Sequence, residues 1–118
     1  MRGSWIFVAG LALFFSTPAF AQSPRQFFGV ASFYDKNYKG KTASGETYDG
    51  TKLTAAHRTL PFGTRLAVTD VRTHRTVTVI VNDRGPFSKG RVLDLSYAAA
   101  IALHMQGRGL VRVTASVE

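Results

Sequence analysis

Seven acidic side chains in a chain of 118 residues are few enough to be weighed singly as groups for acid–base chemistry. Asp83 is the most suggestive of them, because it follows the apolar run 76–81 (TVTVIV) and precedes Arg84 and Gly85. A strand end would hold its carboxylate on a rigid base, and the glycine would let another backbone approach closely. On spacing alone, an aspartate that caps a turn is the stronger interpretation.

A second pair of carboxylates, Glu46 and Asp49, lies in the segment 43–50 (ASGETYDG). Taken alone, this segment fits an ordinary solvated loop better than a site. The longer stretch around it, residues 35–50, favours a functional role, because long ordered loops are often functional and loops on a rigid scaffold often carry binding groups.

Two further carboxylates predict structural roles. Asp94 lies between two leucines and is interpreted as a structural carboxylate paired with Arg84 or Arg91. Asp70 directly precedes a predicted turn, and we expect its side chain to face solvent.

The three histidines are unequal candidates. His57 could orient a carboxylate or a sugar hydroxyl, although a packed or turn-capping histidine fits the sequence at least as well. His74 is expected in an exposed turn, and His104 is expected half-buried on a helix. The chain has neither H-x-H nor H-E-x-x-H spacing, so we predict no metal site and no cofactor.

Aromatic side chains accompany these polar segments. Aromatic faces beside polar groups suit sugar rings, which present apolar C–H faces and hydroxyls, and they would also suit stacked bases. Many could instead belong to the core, which is the interpretation adopted for Phe33. The aromatic residues concerned are Phe33, Tyr34, Tyr38, Tyr48, Phe62 and Phe87.

Composition narrows the class of protein. The absence of cysteine excludes a disulfide scaffold, a thiol nucleophile, a cysteine-ligated metal and a lipid-modified cysteine. A hydrophobic content of 45% with nine phenylalanines excludes a disordered tail. The net charge of +8 favours a polyanionic partner without naming one.

The first residues have the pattern of a secretory signal: a positive start at Arg2, an apolar run at 5–15 and an A-x-A triplet at 19–21. The apolar run is too short to span a bilayer, which needs about 20 residues. We therefore predict a signal peptide over residues 1–21, a short leader over 22–28 and one domain over 29–118.

The elements that must position these residues are mostly strands. Alternating and β-branched runs predict strands from Phe27 to Tyr34 and at 64–71, 76–81, 92–95 and 110–117, with a further short element at 53–56, which makes five to seven strands in all. Ser96 is a good N-cap for a helix rich in alanine, which we expect to end at Gly107 and Gly109. The pattern indicates a mainly β protein with one or two short helices, arranged as a small barrel.

Several motifs in this order resemble the rare lipoprotein A (RlpA) family. The resemblance covers about residues 29–117 and is carried by GVASFY at 29–34, GKTASGETYD at 40–49, LTAAHRTLPFGT at 53–64, VNDRGPF at 81–87 and GRVLDLS at 90–96. It implies a six-stranded double-psi β-barrel, a closed fold also found in expansins.

The resemblance also implies an activity: lytic transglycosylase action on peptidoglycan glycan strands, preferably lacking stem peptides. Such enzymes cleave between N-acetylmuramic acid and N-acetylglucosamine and leave 1,6-anhydromuramic ends. The family's catalytic positions fall here on Glu46, Asp49, His57 and Asp83. Asp83 is expected to act as general acid and then base, Glu46 or Asp49 to stabilise charge, and His57 to position one of them. Substrate contacts are assigned to Tyr34, Tyr48, Asn82, Arg84 and Phe87.

Other interpretations remain open. The alternative function is a non-catalytic, expansin-like module that binds or loosens wall glycan in the same groove. Nucleic-acid binding is disfavoured by the predicted export and by the scattered basic residues. We expect a monomer, periplasmic or secreted, without stable membrane insertion. The family's lipobox cysteine and C-terminal SPOR domain are missing, so neither a lipid anchor nor septal targeting is expected.

Overall fold

The computed structural model describes residues 25–118, so the predicted signal peptide and the first three residues of the predicted leader lie outside the described residues. Six strands and one short helix follow each other along the chain. In order they are β1 (Gln26–Phe33), β2 (Thr54–Ala56), β3 (Arg65–Asp70), β4 (Thr76–Asp83), β5 (Arg91–Leu95), α1 (Tyr97–Ala102) and β6 (Val111–Val117). The predicted mainly β composition is confirmed. No helix in this part of the chain is long and apolar enough to cross a membrane.

The six strands close into a barrel in the order β1-β5-β2-β4-β3-β6. Strands β1 and β5 pair in parallel, as do β2 and β4, and the other four pairings are antiparallel. The closed six-stranded barrel expected from the family resemblance is therefore confirmed. Closure leaves no barrel strand with an unpaired edge.

The core is built from the alternation that the sequence shows. In β4, Val77, Val79 and Val81 are buried, whereas Thr76 is exposed and Thr78 is half-buried, as expected for a strand with one face inside. The largest fully buried apolar side chains are Leu66, Val68, Val79, Val81, Leu93, Leu95, Leu103, Met105 and Val113. Each contributes about 1.5–3 kcal/mol by burial.

Two element boundaries differ from the predictions. Strand β1 begins at Gln26, one residue before its predicted start and inside the predicted leader, because Gln26 already pairs with Ser116 of β6. Helix α1 has the predicted N-cap, Ser96, but ends at Ala102, well before Gly107. His104 then takes a φ of 57° and is exposed, so its predicted place as a half-buried helical residue is wrong. This early turn allows Met105 to be fully buried.

The prediction that Asp70 faces solvent is also wrong. Its side chain is fully buried, and Oδ2 accepts a hydrogen bond of 2.6 Å from Arg108. Oδ1 accepts from the backbone N–H groups of Arg72 and Thr73. Asp70 thus ties the β3–β4 turn to the segment that leads into β6. His74, in that turn, is exposed as predicted.

Candidate active site

Asp83 is the last residue of β4, where the pairing with β2 shifts register between Ala55 and Ala56. Its carboxylate accepts three hydrogen bonds. Oδ1 accepts from the backbone N–H of Ala43 at 2.7 Å and from that of Arg84 at 2.8 Å. Oδ2 accepts from the Tyr34 hydroxyl at 2.5 Å. These contacts, from three separate segments, hold the carboxylate in one orientation.

Tyr34 directly follows β1 and lies in a cluster of three tyrosine rings. Its ring stacks on that of Tyr48, with centroids 4.5 Å apart and an interplanar angle of 19°, and Tyr38 tilts against both rings. Burial, followed by the hydrogen bond to Asp83, raises the pKa of Tyr34 well above its ordinary value. The phenol therefore stays protonated and remains a hydrogen-bond donor at any physiological pH.

Glu46 is presented by a tight turn between Lys41 and Thr47, which form an isolated β-bridge. The N–H of Thr42 donates to the carbonyl of Glu46 at 2.8 Å, and Gly45 takes a φ of 94° that favours glycine. The Glu46 Oε1 accepts from Asn82 Nδ2 at 3.1 Å. The turn that supplies the Ala43 amide to Asp83 thus also carries Glu46.

Asp49 is exposed and fixed within its own turn. Its Oδ1 accepts from the hydroxyl of Thr51 at 2.7 Å and from the Thr51 N–H at 2.9 Å. These two hydrogen bonds, with a smaller effect from Lys52, lower the pKa of Asp49, so its side chain is ionised at neutral pH. The preceding Tyr48 is buried, and its hydroxyl accepts from the N–H of Tyr97 at 3.0 Å. Tyr48, assigned above to substrate contact, lies beneath Tyr34 as a support.

A cleft of about 360 Å³ lies beside the loop that carries Glu46 and Asp49. Asp83 is not among its lining residues, which are Glu46, Thr47, Asp49, Lys52, Leu53, Thr54, Ile80 and Asn82, the neighbour of Asp83. Two adjoining cavities share some of these residues, and they extend toward Phe62 and toward Tyr38. The cleft therefore combines carboxylate, amide and ammonium groups with apolar side chains, and a half-exposed aromatic ring lies toward each end.

His57 contacts backbone groups instead of a carboxylate side chain among the described residues. Its Nδ1 accepts from the N–H groups of Thr59 and Leu60, both at 3.1 Å, and its ring packs 5.1 Å from that of Phe27. Burial, then the positive charges of Arg58 and Arg84, lower its pKa. The backbone N–H of His57 donates to the backbone carbonyl of Asp83 at 3.1 Å, so the two residues are linked through the backbone.

The Arg84 side chain binds the segment of residues 57–60 that begins with His57. Its Nη1 donates to the carbonyls of His57 at 3.2 Å and Leu60 at 2.8 Å, and its guanidinium lies 4.1 Å above the ring of Phe62. Phe87 is 76% exposed. Gly85, two residues before Phe87, takes a φ of 120°. A Cβ at this position would lie 3.6 Å from the Phe87 ring.

Asp94 has the structural partner that the sequence suggested. Arg91 Nη2 lies 3.1 Å from its Oδ1, which also accepts a short hydrogen bond from the Ser32 hydroxyl. Of the two arginines considered, the predicted pairing with Arg91 is confirmed.

Two contributors to the site are not identified by the sequence. The Ala43 amide has no side-chain signature, and only the Ser44-Gly45 turn signal points to its loop. Phe62 is among the aromatics that accompany the polar segments but is not assigned to the site, although Pro61 and Gly63 mark the turn that exposes it. Within residues 25–118, no cluster of three or more histidine or acidic side chains could hold a metal ion.

Comparison with known proteins adds sequence evidence. The family of double-psi β-barrels described as lytic transglycolase matches residues 26–115. The endolytic peptidoglycan transglycosylase RlpA of Pasteurella multocida is 51% identical over 86 residues, which are 72% of this chain and 29% of that protein. The chain spans only a quarter to a third of the length of such curated relatives.

Two solved structures share the fold. The Streptomyces papain inhibitor matches with a TM-score of 0.65 and 26% identity, over 80% of this chain and 94% of its own. The expansin of Clavibacter michiganensis matches with a TM-score of 0.62 and 23% identity, over 79% of this chain and 50% of its own. The expected relation to expansins is thus confirmed at the level of fold.

Proposed function

The chain belongs to the RlpA-type lytic transglycolase family of double-psi β-barrels, and from this premise we propose that it is a peptidoglycan lytic transglycosylase. Its substrate is the glycan strand, preferably without stem peptides, and it cleaves between N-acetylmuramic acid and N-acetylglucosamine. The product is a 1,6-anhydromuramic end. The site of action is outside the cytoplasm, where peptidoglycan lies.

One observation carries the proposal: a single turn, residues 41–47, makes hydrogen bonds with two successive residues at the end of β4. The Ala43 N–H of this turn donates to the Asp83 carboxylate, and its Glu46 accepts from Asn82, the neighbour of Asp83. A glycosidic bond is cleaved by one group that gives a proton and by negative charge that stabilises the resulting cation. The arrangement supplies both at fixed positions.

The first step uses Asp83 as general acid. Its carboxyl proton passes to the glycosidic oxygen, and the bond from that oxygen to C1 of the muramic residue breaks. The N-acetylglucosamine side leaves as an alcohol that carries this proton. Positive charge develops on the muramic ring, and Asp83 is left as a carboxylate.

The second step returns the proton. The C6 hydroxyl of the same muramic residue attacks C1, and Asp83 takes up the hydroxyl proton as general base. The 1,6-anhydro ring closes without consumption of water, and Asp83 is ready for another cycle. Glu46 and the ionised Asp49 line the cleft where the cationic ring would lie, so they stabilise its charge.

The remaining site residues bind and orient. The exposed faces of Tyr38 and Phe62 offer stacking surfaces for sugar rings toward the two ends of the cleft, and Asn82 offers an amide to hydroxyls. Phe87 provides a further exposed ring. Arg84 and His57 hold the turn that carries Phe62, as their contacts with Leu60 and the backbone indicate.

The test is product analysis with purified protein on intact and on amidase-stripped peptidoglycan. We expect soluble fragments with anhydromuramic ends, in larger amount from the stripped material. Asp83→Asn should lower the rate about 10²–10⁴-fold, since it removes the transferable proton while amide and hydroxyl contacts can re-form. The matched control is Asp35→Asn, because Asp35 caps only its own turn at the start of the same loop.

Three results would contradict the proposal. Wild-type rates from Asp83→Asn would remove Asp83 from the chemistry. Equal losses in Asp35→Asn would point to a non-specific effect of charge. Protein that pellets with the sacculus and releases no product would establish instead the glycan-binding module, the alternative left open by the sequence.

A further inference from the structure

The hydrogen-bond inventory of Asp83 leaves one position open. A carboxylate offers about four lone pairs, two on each oxygen. The amides of Ala43 and Arg84 occupy both lone pairs of Oδ1, and the Tyr34 hydroxyl occupies one of the two on Oδ2. Among donors in residues 25–118, none takes the second lone pair of Oδ2. A transferable proton can therefore be carried only there.

We propose that Oδ2 of Asp83 is the oxygen that exchanges the proton with the substrate, and that Tyr34 is the positioning residue that aims it. This inference rests on the proposed transglycosylase function. It assigns Tyr34 a role that differs from the substrate contact expected from the sequence. Tyr34 acts through Asp83, because its hydroxyl lies on the same oxygen that carries the proton.

Tyr34 is suited to aim another group because it is itself held firmly. Its backbone N–H donates to the carbonyl of Leu95 at 3.0 Å, and its ring is stacked against the buried Tyr48. The Tyr48 hydroxyl is in turn fixed by the N–H of Tyr97. A residue locked by packing and by a second layer of hydrogen bonds holds its partner within the tight limits that proton transfer needs.

Several charged groups surround this pair. Asp94 of β5 and Tyr38 of the long loop lie close enough to act electrostatically on the Tyr34 phenol. Arg84 follows Asp83 just beyond the end of β4, and the backbone N–H of His57, beyond the end of β2, donates to the Asp83 carbonyl. All of these remain in place when only the Tyr34 hydroxyl is removed, so their effects are common to the variant and the wild type.

The first experiment compares Tyr34→Phe with wild type on amidase-stripped glycan. We expect kcat to fall about tenfold with KM within about twofold, since binding is kept and only the aim of the acid is lost. A purely structural role would instead change KM or the amount of folded protein and would not lower kcat alone.

The control is Tyr97→Phe, which also removes a single tyrosine hydroxyl and keeps the backbone N–H that holds Tyr48. The Tyr97 ring packs against Phe33, with centroids 6.3 Å apart, and the described hydrogen bonds of Asp83 do not involve its hydroxyl. Its kcat should match that of the wild type. Equal losses in both variants would overturn the proposal, because the effect would then not depend on the bond to Oδ2.

A second experiment tests the contact without any activity. The chain has four tyrosines, and the ultraviolet absorbance of tyrosinate follows their ionisation. In wild type the most alkaline step should belong to Tyr34 and should vanish in Tyr34→Phe. In Asp83→Asn it should move to lower pH, because the hydrogen bond to a carboxylate is gone. A step unmoved by Asp83→Asn would overturn the proposal.

These readouts separate two failures. If wild-type protein releases no anhydro product, the proposed function fails, whatever the tyrosine titration shows. If wild type is active and Tyr34→Phe keeps the wild-type kcat, the transglycosylase stands and the role of Tyr34 falls.

Discussion

The ion pair between Asp70 and Arg108 yields the sharpest stability prediction. Asp70 is fully buried, whereas the side chain of Arg108 is 24% exposed, and their closest atoms are 2.6 Å apart. Asp70→Asn keeps an oxygen for the Arg72 and Thr73 amides but removes the charge that Arg108 faces. The variant therefore isolates the ionised state of Asp70 while preserving its shape.

The magnitude follows from the pKa of Asp70. Burial alone would raise it, but the hydrogen bond from Arg108, those from the Arg72 and Thr73 amides and the charge of Arg108 outweigh burial and lower it from 3.8 to about 2. At 1.36 kcal/mol per pH unit, ionised Asp70 stabilises the fold at neutral pH by about 2 kcal/mol. For a domain of this size that corresponds to a fall in Tm of roughly 10 °C in Asp70→Asn.

The pH dependence has a definite sign. Because folding depresses the pKa, the contribution is fully present above pH 3.8 and is lost as pH falls toward about 2. Urea unfolding of wild type and Asp70→Asn should therefore differ by about 2 kcal/mol at pH 6, and the two curves should converge near pH 2. Arg108→Met should cost more, about 3–5 kcal/mol, because it leaves a buried carboxylate without its cation.

The exposed pair of Arg65 and Glu118 provides the comparison, with atoms 3.4 Å apart and side chains 59% and 39% exposed. Glu118→Gln should cost under about 1 kcal/mol. Parallel loss of stability in wild type and Asp70→Asn between pH 4 and pH 2 would refute the reasoning. So would a cost for Arg108→Met no larger than that for Glu118→Gln.

Two further predictions concern the frame of the site. Burial and neighbouring arginines lower the pKa of His57. The stabilising effect of the neutral imidazole is therefore present above the unfolded pKa of about 6.5 and declines as pH falls through the lower folded value. An NMR titration should show a neutral imidazole with its proton on Nε2, and a midpoint at or above about 6.5 would contradict this. Ser96 is fully buried, and its hydroxyl accepts hydrogen bonds from the N–H groups of Thr54 and Ala99, both at 3.2 Å. Ser96→Ala should therefore lower the unfolding free energy by about 1–2 kcal/mol. The control is Ser88→Ala at an exposed serine, and equal stability of the two variants would rule the prediction out.

The sequence predicts what is local and misses what barrel closure creates. The strand containing Val77, Val79 and Val81 is visible as an alternation, and the Ser96 cap and the pairing of Asp94 with Arg91 lie within a few residues of their partners. The sequence predicts the wrong environment for Asp70 because its partner is 38 residues away and meets it only when β6 joins β3. Partners set by closure leave no periodic trace in the sequence.

The donors that orient the catalytic candidate are likewise distant in sequence. The Asp83 carboxylate was recognisable by its place after a strand and by its motif, whereas its donors, Tyr34 and the Ala43 amide, are 49 and 40 residues away. A backbone amide has no residue type, so no motif can announce it. The sequence therefore identifies candidate acids, and the fold decides which oxygen of Asp83 is left open.

Closure also separates the stability of the barrel from the chemistry of the site. Asp83 ends β4, whereas Asp70 lies beside the start of that strand, and the seven steps from Thr76 to Asp83 span about 23 Å. None of the three donors to Asp83 comes from the β3–β4 turn that Asp70 holds. Asp70→Asn should therefore lower Tm while leaving kcat on stripped glycan unchanged at a temperature where it stays folded. Tyr34→Phe should do the reverse, with a large effect on kcat, because its hydroxyl orients the carboxyl group that transfers the proton.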